Sequence, residues 1–259
     1  MSRIKQKIQL FRRVKSIFKN WIIFPFIYYD LIFSNFIFIK TNTDILIKIR
    51  NHSTDFMALL NVWVLEEYNS KNYNISNDGP IIDIGAHIGL FSLYVSQFYK
   101  NSKIFCYEPN KENFELLIEN LSNNNLKNIF ANNLAVSDSN EKIKLYINKD
   151  QSGHNLFYKS ELSEIVQSIT LQKIFDDNKI TKCSILKLDC EGAEYQILKS
   201  LPQKYLKNIS FIILEYHMAD SNPELIEELQ NYLKQQNFDT QKCIPKNGMG
   251  MFYAQNNSI

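Results

Sequence analysis

From about residue 79 the chain alternates short apolar runs with amphipathic stretches, and this alternation constrains its fold more than any other feature. Residues 80–85 (PIIDIG), 103–108 (KIFCYE), 129–136, 184–188 and 211–216 (FIILEY) read as buried strands. Between them, residues 88–99, 111–124, 193–200 and 223–236 carry helical patterning, with Pro109 where a helix begins and Asn222 as an expected cap. Two short strands, 238–243 and 251–255, finish the chain. Residues 142–148 (KIKLYIN) alternate polar and apolar, as in a half-exposed strand of an insertion, and 149–168 read as polar loop. Strands alternating with helices predict an α/β fold with a mainly parallel, doubly wound, Rossmann-like sheet.

Composition narrows the class further. Apolar residues at 45%, with 18 Phe and 14 Tyr, suffice for a full core, while seven Gly and six Pro exclude a collagenous chain. Residues 1–20 hold seven basic side chains and no acid, so the remainder sums to −5 by subtraction from the net +2. An acidic body argues against a nucleic-acid partner. The division expected is a basic, aromatic N-terminal extension (1–50) and a main domain (51–259). Ile4, Ile8, Phe11, Val14 and Phe18 recur at helical spacing, and the aromatic run 21–39 is broken by Pro25 and Asp30, which argues against a spanning helix. Two readings remain: a surface helix giving peripheral membrane contact through residues 1–39, or a helix packed on its own domain. Cys106, Cys183, Cys190 and Cys243 form no C-x-x-C pair, consistent with free thiols in a reducing, cytoplasmic setting.

In doubly wound sheets, ligands bind beyond the carboxyl ends of the strands, where strand order reverses. The first strand of this region ends Asp83-Ile84-Gly85-Ala86-His87-Ile88-Gly89. Gly85 permits a tight turn, and Gly89 a close approach of helix to sheet. Glu108, nineteen residues past Gly89, tips the second strand and is placed to accept both hydroxyls of a ribose. A pyrophosphate site wants G-x-G-x-x-G, whereas this loop is G-x-x-x-G behind an aspartate. A carboxylate at that mouth repels pyrophosphate and suits a cationic nucleoside, which points to S-adenosyl-L-methionine (AdoMet) as cofactor.

These residues resemble the FkbM family of AdoMet-dependent methyltransferases. The resemblance covers roughly residues 50–220 and rests on 81–89 (IIDIGAHIG), 107–110 (YEPN), 135–138 (AVSD), 214–217 (LEYH) and above all 186–194 (LKLDCEGAE). Ser53-Thr54-Asp55 and the tyrosines at 68 and 73 also resemble the segment that precedes the family's cofactor motif. Gln172 departs from the family's usual Asp, which implies an altered helix cap there. The resemblance implies the class I methyltransferase fold with an antiparallel last strand, methyl transfer to a hydroxyl oxygen, and acceptors such as sugars and polyketides. It implies cofactor contacts at Asp83, Gly85, Ala86, Gly89, Glu108 and the nearby Asn110. It further implies adenine contacts along Asn133 to Ala135, and Asp189 beside the methyl group and acceptor.

A hydroxyl acceptor must lose a proton. Asp189, Glu191, Glu215 and His217 project from the ends of two neighbouring strands. His217, which titrates near neutrality when unperturbed, is the expected base, with Asp189 and Glu191 as rivals. Lys187 shares a sheet face with Asp189 and is expected to pair with a carboxylate. His87 reads as a hydrogen-bonder in the cofactor loop, and His154 as a solvated loop residue or an acceptor contact. Asp189, Glu215 and His217 could also supply donors to a divalent cation, but their spacing is no recognised signature and no metal is assigned. The expected function is O-methylation of a sugar in a surface glycan or its precursor. The alternatives are methylation of a lipid or secondary metabolite, or a non-catalytic AdoMet-binding module.

Overall fold

The computed structural model describes residues 3–68, 75, 79–147, 162–246 and 248–259. In chain order the elements begin α1 (Arg3–Ile17), α2 (Ile23–Tyr28), β1 (Phe36–Lys40), β2 (Leu46–Arg50) and α3 (Asp55–Leu59), which runs into a π-helix (Leu60–Leu65). Next come β3 (Ile81–Ile84), α4 (Leu90–Ser96), β4 (Ile104–Tyr107), α5 (Lys111–Asn123), β5 (Ile129–Asn132), β6 (Ala135–Ser137), β7 (Lys142–Tyr146) and β8 (Ser163–Thr170). The chain ends α6 (Leu171–Asp177), β9 (Cys183–Leu188), α7 (Glu194–Ser200), α8 (Gln203–Leu206), β10 (Ile209–Tyr216), α9 (Glu224–Gln235), β11 (Phe238–Lys242) and β12 (Gly250–Asn256).

Seven strands form one sheet in the order β11-β12-β10-β9-β3-β4-β5. Only β12 runs against its neighbours, pairing antiparallel with both β10 and β11. Alternate side chains of each strand point to opposite faces. Ile81, Ile104, Ile185 and Ile213 enter the core under α4, α5 and the N-terminal elements. Ile82, Phe105, Leu186 and Ile212 enter a second core under α6, α7 and α9. Both faces are covered, which is why the strands read as continuous apolar runs rather than as alternations.

Four expectations need correction. The run 129–136 is not one strand: β5 ends at Asn132, and β6 leaves for a three-stranded sheet ordered β6-β8-β7. The Asn133 amide donates to the carbonyls of Glu108 and Pro109, both at 2.9 Å, which holds the chain in that departure. The polar loop 149–168 ends early, since β8 begins at Ser163 and pairs antiparallel with β7; residues 148–161, His154 among them, lie outside those described, as does Tyr73. Asn222 does not cap α9, which starts behind Pro223 with no side-chain cap. The cap of α6 is Thr170, whose hydroxyl accepts from the Lys173 N–H, so Gln172 inside the helix alters no cap.

The N-terminal elements share the core of the main sheet. Val14 and Phe18 of the first segment are buried, and the Phe18 ring lies 4.8 Å from Phe24 and 6.2 Å from Trp63 of the π-helix. The hairpin of β1 and β2 docks its edge on α5, where Asn120 and Asn124 exchange hydrogen bonds with the backbone of Leu46 and Lys48. Burying a phenylalanine as fully as Phe18 contributes about 1.5–3 kcal/mol, so the segment is held by packing. No helix among the described residues is long and apolar enough to cross a membrane.

Candidate active site

Strand order reverses between β3 and β9, and a cleft of about 320 Å³ opens beyond their carboxyl ends. Its floor is the turn after β3. The Gly85 and Ala86 N–H groups both donate to the Tyr107 carbonyl at 3.0 Å, which draws the loop across the end of β4. Gly85 has φ +70, and a Cβ there would lie 1.8 Å from the Asp189 carbonyl oxygen, so only glycine fits between the two strand ends. At Gly89 (φ +88) a Cβ would meet the Leu117 side chain of α5 at 2.5 Å, so the close approach this glycine permits is to a neighbouring helix and not, as expected, to the sheet.

On one side of this floor the chain presents Glu108. Its carboxylate accepts the His87 N–H at 2.8 Å and the Asn110 N–H at 3.0 Å, and it lines the cleft while only 5% exposed. Burial pushes its carboxyl up to about 7 against the opposing pull of those two backbone donors. Asn113, beside it in the cleft wall, keeps a buried Oδ1 with no partner. Ala135 and Val136 of β6 and Leu145 of β7 close the same side, so the small sheet serves as a wall of the cleft. His87 is fixed from behind: its Nε2 lies 3.2 Å from Arg50 and 3.3 Å from Asp55, and Arg50 and Asp55 form a buried ion pair at 2.7 Å. Burial lowers the His87 pKa, so the ring is a neutral hydrogen-bonder.

Three residues assigned to cofactor contact act at one remove. Asp83 is fully buried below the floor, accepts from the Ser92 hydroxyl at 2.7 Å and pairs with Lys187 at 3.2 Å. Its charge therefore does not stand at the mouth; it holds Lys187, whose ammonium donates to the Gly85 carbonyl at 2.7 Å. Asn110 caps α5 by accepting the Asn113 N–H, and Asn133 is an exposed brace on the loop after β4.

On the other side, β9 and β10 deliver a crowd of acids. The Tyr68 hydroxyl bridges Asp189 (3.0 Å) and Glu215 (3.3 Å). Burial, reinforced by the Asp189 charge, lifts Glu215 to about 8. Glu191 lines the cleft from a left-handed backbone (φ +55), with its carboxylate 3.5 Å from His217 Nε2. The donor atoms of Asp189, Glu215 and His217 converge within 4.8 Å.

The structure corrects His217 as the base. Burial disfavours its charge, yet the Glu194 hydrogen bond at Nδ1 (3.1 Å) and the charges of Glu194, Glu191 and Asp189 raise the ring to about 10. The ring is held protonated at neutral pH, a form that cannot accept a proton. Glu194 organises this side: wholly buried, it also accepts the N–H groups of Cys190 and Gly192, both at 2.9 Å. Every charged member of the 187–194 block thus has a place, from Lys187 under the floor to Glu194 behind the β9–α7 loop. Tyr68, Asn113 and Glu194 carried no assigned role in the sequence. Glu194 alone had a strong signal, as the last acid of that block.

Replacing Glu194 by Ala strands two N–H groups and an imidazolium, at an expected cost of about 3–5 kcal/mol by chemical denaturation. Because the folded pKa of His217 is raised, its stabilisation is full below about 6.5 and is lost as pH rises through about 10. Glu194→Gln should flatten that decline, and an unchanged pH profile would remove Glu194 from control of His217.

Strand order, glycine turn and acidic second-strand tip together define a class I methyltransferase. The methyltransferase FkbM domain profile matches residues 83–240, more than half of the chain, and the protein belongs to that family. Among solved structures, methyltransferase FkbM from Methylobacillus flagellatus KT superposes with a TM-score of 0.50 at 17% identity, covering 76% of this chain and 52% of that one. The likeness is one of fold, and this chain spans about half the length of that relative. Methyltransferase 1 of Beauveria bassiana is 21% identical over 175 residues, covering 58% of this chain and 70% of that protein. The hexuronic acid methyltransferase AglP of Haloferax volcanii is 24% identical over 157 residues, covering 61% and 63%.

Proposed function

We propose that this methyltransferase uses AdoMet to methylate a hydroxyl group of a sugar, in a surface glycan or its precursor. The observation that carries the reading is a single cleft with Glu108 at one end and Asp189, Glu191 and Glu215 at the other, a site for a ligand with a diol at one end and a cation at the other. Two features of the site fit AdoMet. The unpartnered Asn113 Oδ1 beside Glu108 lacks a donor such as a ribose hydroxyl. The acids around Asp189 raise one another, Glu67 through burial and then the Asp189 charge, so a cation among them relieves repulsion. When bound, AdoMet supplies a methyl group on a sulfonium, an electrophile with a good leaving group.

The chain's own residues do the rest. Gly85 and the Lys187–Asp83 pair hold the floor, Glu108 and Asn113 bind the ribose, and the β6–β8–β7 sheet excludes water. Asp189 takes the acceptor's proton, with Glu191 its rival, while the His217 imidazolium steadies the carboxylates around it. The sugar acceptor draws support from the relative named a hexuronic acid methyltransferase.

Calorimetric titration of AdoMet tests the cofactor. Glu108→Ala should weaken binding by about ten- to a hundredfold, the worth of charge-assisted hydrogen bonds. A diol donates to the ionised carboxyl, so affinity should rise about tenfold from pH 6 to 8 as Glu108 ionises around 7, and the Ala variant should lose that slope. Unchanged affinity in a folded variant would take Glu108 out of the site. Labelled-methyl transfer onto glycan, lipid and metabolite extracts then tests the acceptor, and counts only in lipids or metabolites would overturn the sugar. Turnover after dialysis against a chelator reports whether the convergent Asp189, Glu215 and His217 need a divalent ion.

A further inference from the structure

Exposed apolar side chains are concentrated at one end of the chain. Of the 21 large ones exposed among the described residues, 11 lie between Ile8 and Phe38. Phe33 is 100% exposed, Tyr28 and Tyr29 67% each, Ile22 61% and Leu31 56%. These are not loosely folded residues. Phe24, between Ile22 and Phe26, is buried with its ring 5.6 Å from Phe56 of α3. In β1 the alternation is strict, with Ile37 and Ile39 inside and Phe36 and Phe38 outside. The inner side chains fix the segment while the outer ones face solvent, which monomeric surfaces rarely do over so long a contiguous run.

Charge indicates what covers this face. The first 40 residues hold eight basic side chains against the single Asp30, a net +7, and the remaining residues sum to −5; of the eight, Arg13 is paired with Glu66, and Lys19 and Lys40 with Asp44. Exposed cations lie at this face: Lys15 stands 5.3 Å from the half-buried Trp21 ring, and Arg12 is exposed next to Phe11, while Lys48, 3.9 Å from the Phe36 ring, is paired with Glu119. A nucleic acid would meet the basic groups but offer nothing to Ile22, Leu31 and Phe33. Aromatic, aliphatic and basic side chains together match the boundary of an anionic bilayer, where rings and aliphatic groups enter the headgroup region and ammonium groups meet phosphate. No helix among the described residues is long and apolar enough to cross, and the contact argued for lies in the plane of the surface.

We propose that α2, the loop leading to β1 and the outer face of the β1–β2 hairpin dock on an anionic phospholipid bilayer. Insertion of Ile22, Phe26, Leu31 and Phe33 supplies the apolar part, and the exposed Arg12 and Lys15 of α1 supply the salt-sensitive part. The surface adjoins the cleft through α3, because Phe56 packs on Phe24 while the next residue, Met57, lines the cleft. Deleting α1 would uncover the core around Phe18, so the test alters exposed positions in the full chain.

The test is co-sedimentation with phosphatidylcholine vesicles, with and without roughly a third phosphatidylglycerol. The wild-type protein should bind the anionic vesicles at low salt. Binding should fall at least about tenfold on neutral vesicles, at high salt, in Phe26→Ser/Phe33→Ser, and in Arg12→Glu/Lys15→Glu. Melting temperature and AdoMet affinity, measured on the same samples, should stay at the wild-type values, which separates this proposal from the methyltransferase reading. Absence of binding, equal binding to both vesicles, or full binding by the Phe26/Phe33 variant would overturn it. So would a dimer in sedimentation equilibrium that this variant dissociates while vesicles are ignored, which would give the face to a second copy.

Discussion

Gly85→Ala is expected to destabilise the protein by more than about 4 kcal/mol and to weaken AdoMet at least about a hundredfold in whatever folds. The reason lies in two independent constraints on one position. The backbone has φ +70, where any L-residue other than glycine is strained by about 1–2 kcal/mol. The added Cβ would also stand 1.8 Å from the Asp189 carbonyl oxygen, and that atom belongs to the end of β9 and cannot swing away. Relief requires β3 and β9 to part at their carboxyl ends, which breaks the hydrogen bond from the Asp189 N–H to the Ile84 carbonyl (3.1 Å) and displaces the Lys187 ammonium from the loop. Gly89→Ala is the control. Its φ of +88 carries the same backbone strain, but its Cβ would meet Leu117 Cδ1, the far end of a side chain that can turn, so about 2–4 kcal/mol is expected and AdoMet binding should survive. Chemical denaturation and calorimetry on both variants check the pair. Equal effects at the two glycines would mean that the floor of the cleft is not set by Gly85.

What the sequence revealed and what it concealed divide along physical lines. The central sheet was legible because burial on both faces forces apolar runs, such as PIIDIG and FIILEY, that few other environments tolerate. The turn after β3 was legible because the demands on Gly85 are local. The β1–β2 hairpin was not, because its outer face carries Phe36 and Phe38 where a strand usually carries polar residues, so the period-two signal vanished into an aromatic run. The division of 129–136 into two strands was concealed because Asn133 breaks the strand through its side chain, and an asparagine at a strand end is too common to signal that.

Site residues divide in the same way. Glu108 and Asp189 could be placed from strand ends alone, since a residue at the carboxyl tip of a parallel strand faces the cleft. Asp83 was assigned one layer too high: alternation along β3 turns its side chain toward Cys106 and Ser92, into the core, and only the three-dimensional register pairs it with Lys187. Tyr68 reaches Asp189 across 121 positions of sequence, and no local pattern reports such a contact. The proton affinity of His217 depends on three carboxylates from the β9–α7 region, so its identity as a histidine said little about its charge.

At the reaction centre the largest kinetic effect is expected from Asp189→Asn, which should cut turnover by about 10²–10⁴-fold, the usual worth of a positioned base. Its place is rigid: the backbone is tied to β3 through Ile84, and the carboxylate accepts from Tyr68 and lies 3.8 Å from Lys187. Asparagine keeps the shape and one acceptor for Tyr68 but cannot take a proton. It also removes a charge that raises Glu215, His217 and Glu67, so a bound cation loses part of its attraction and AdoMet should weaken, by about tenfold. The residual rate should climb with pH as hydroxide from solvent replaces the missing base. Glu191→Gln separates the two candidates, because that side chain faces His217 Nε2 from the loop rather than the strand end. If Asp189→Asn keeps turnover within about threefold while Glu191→Gln loses a hundredfold or more, the proton goes to Glu191, and Asp189 serves only to attract the cation.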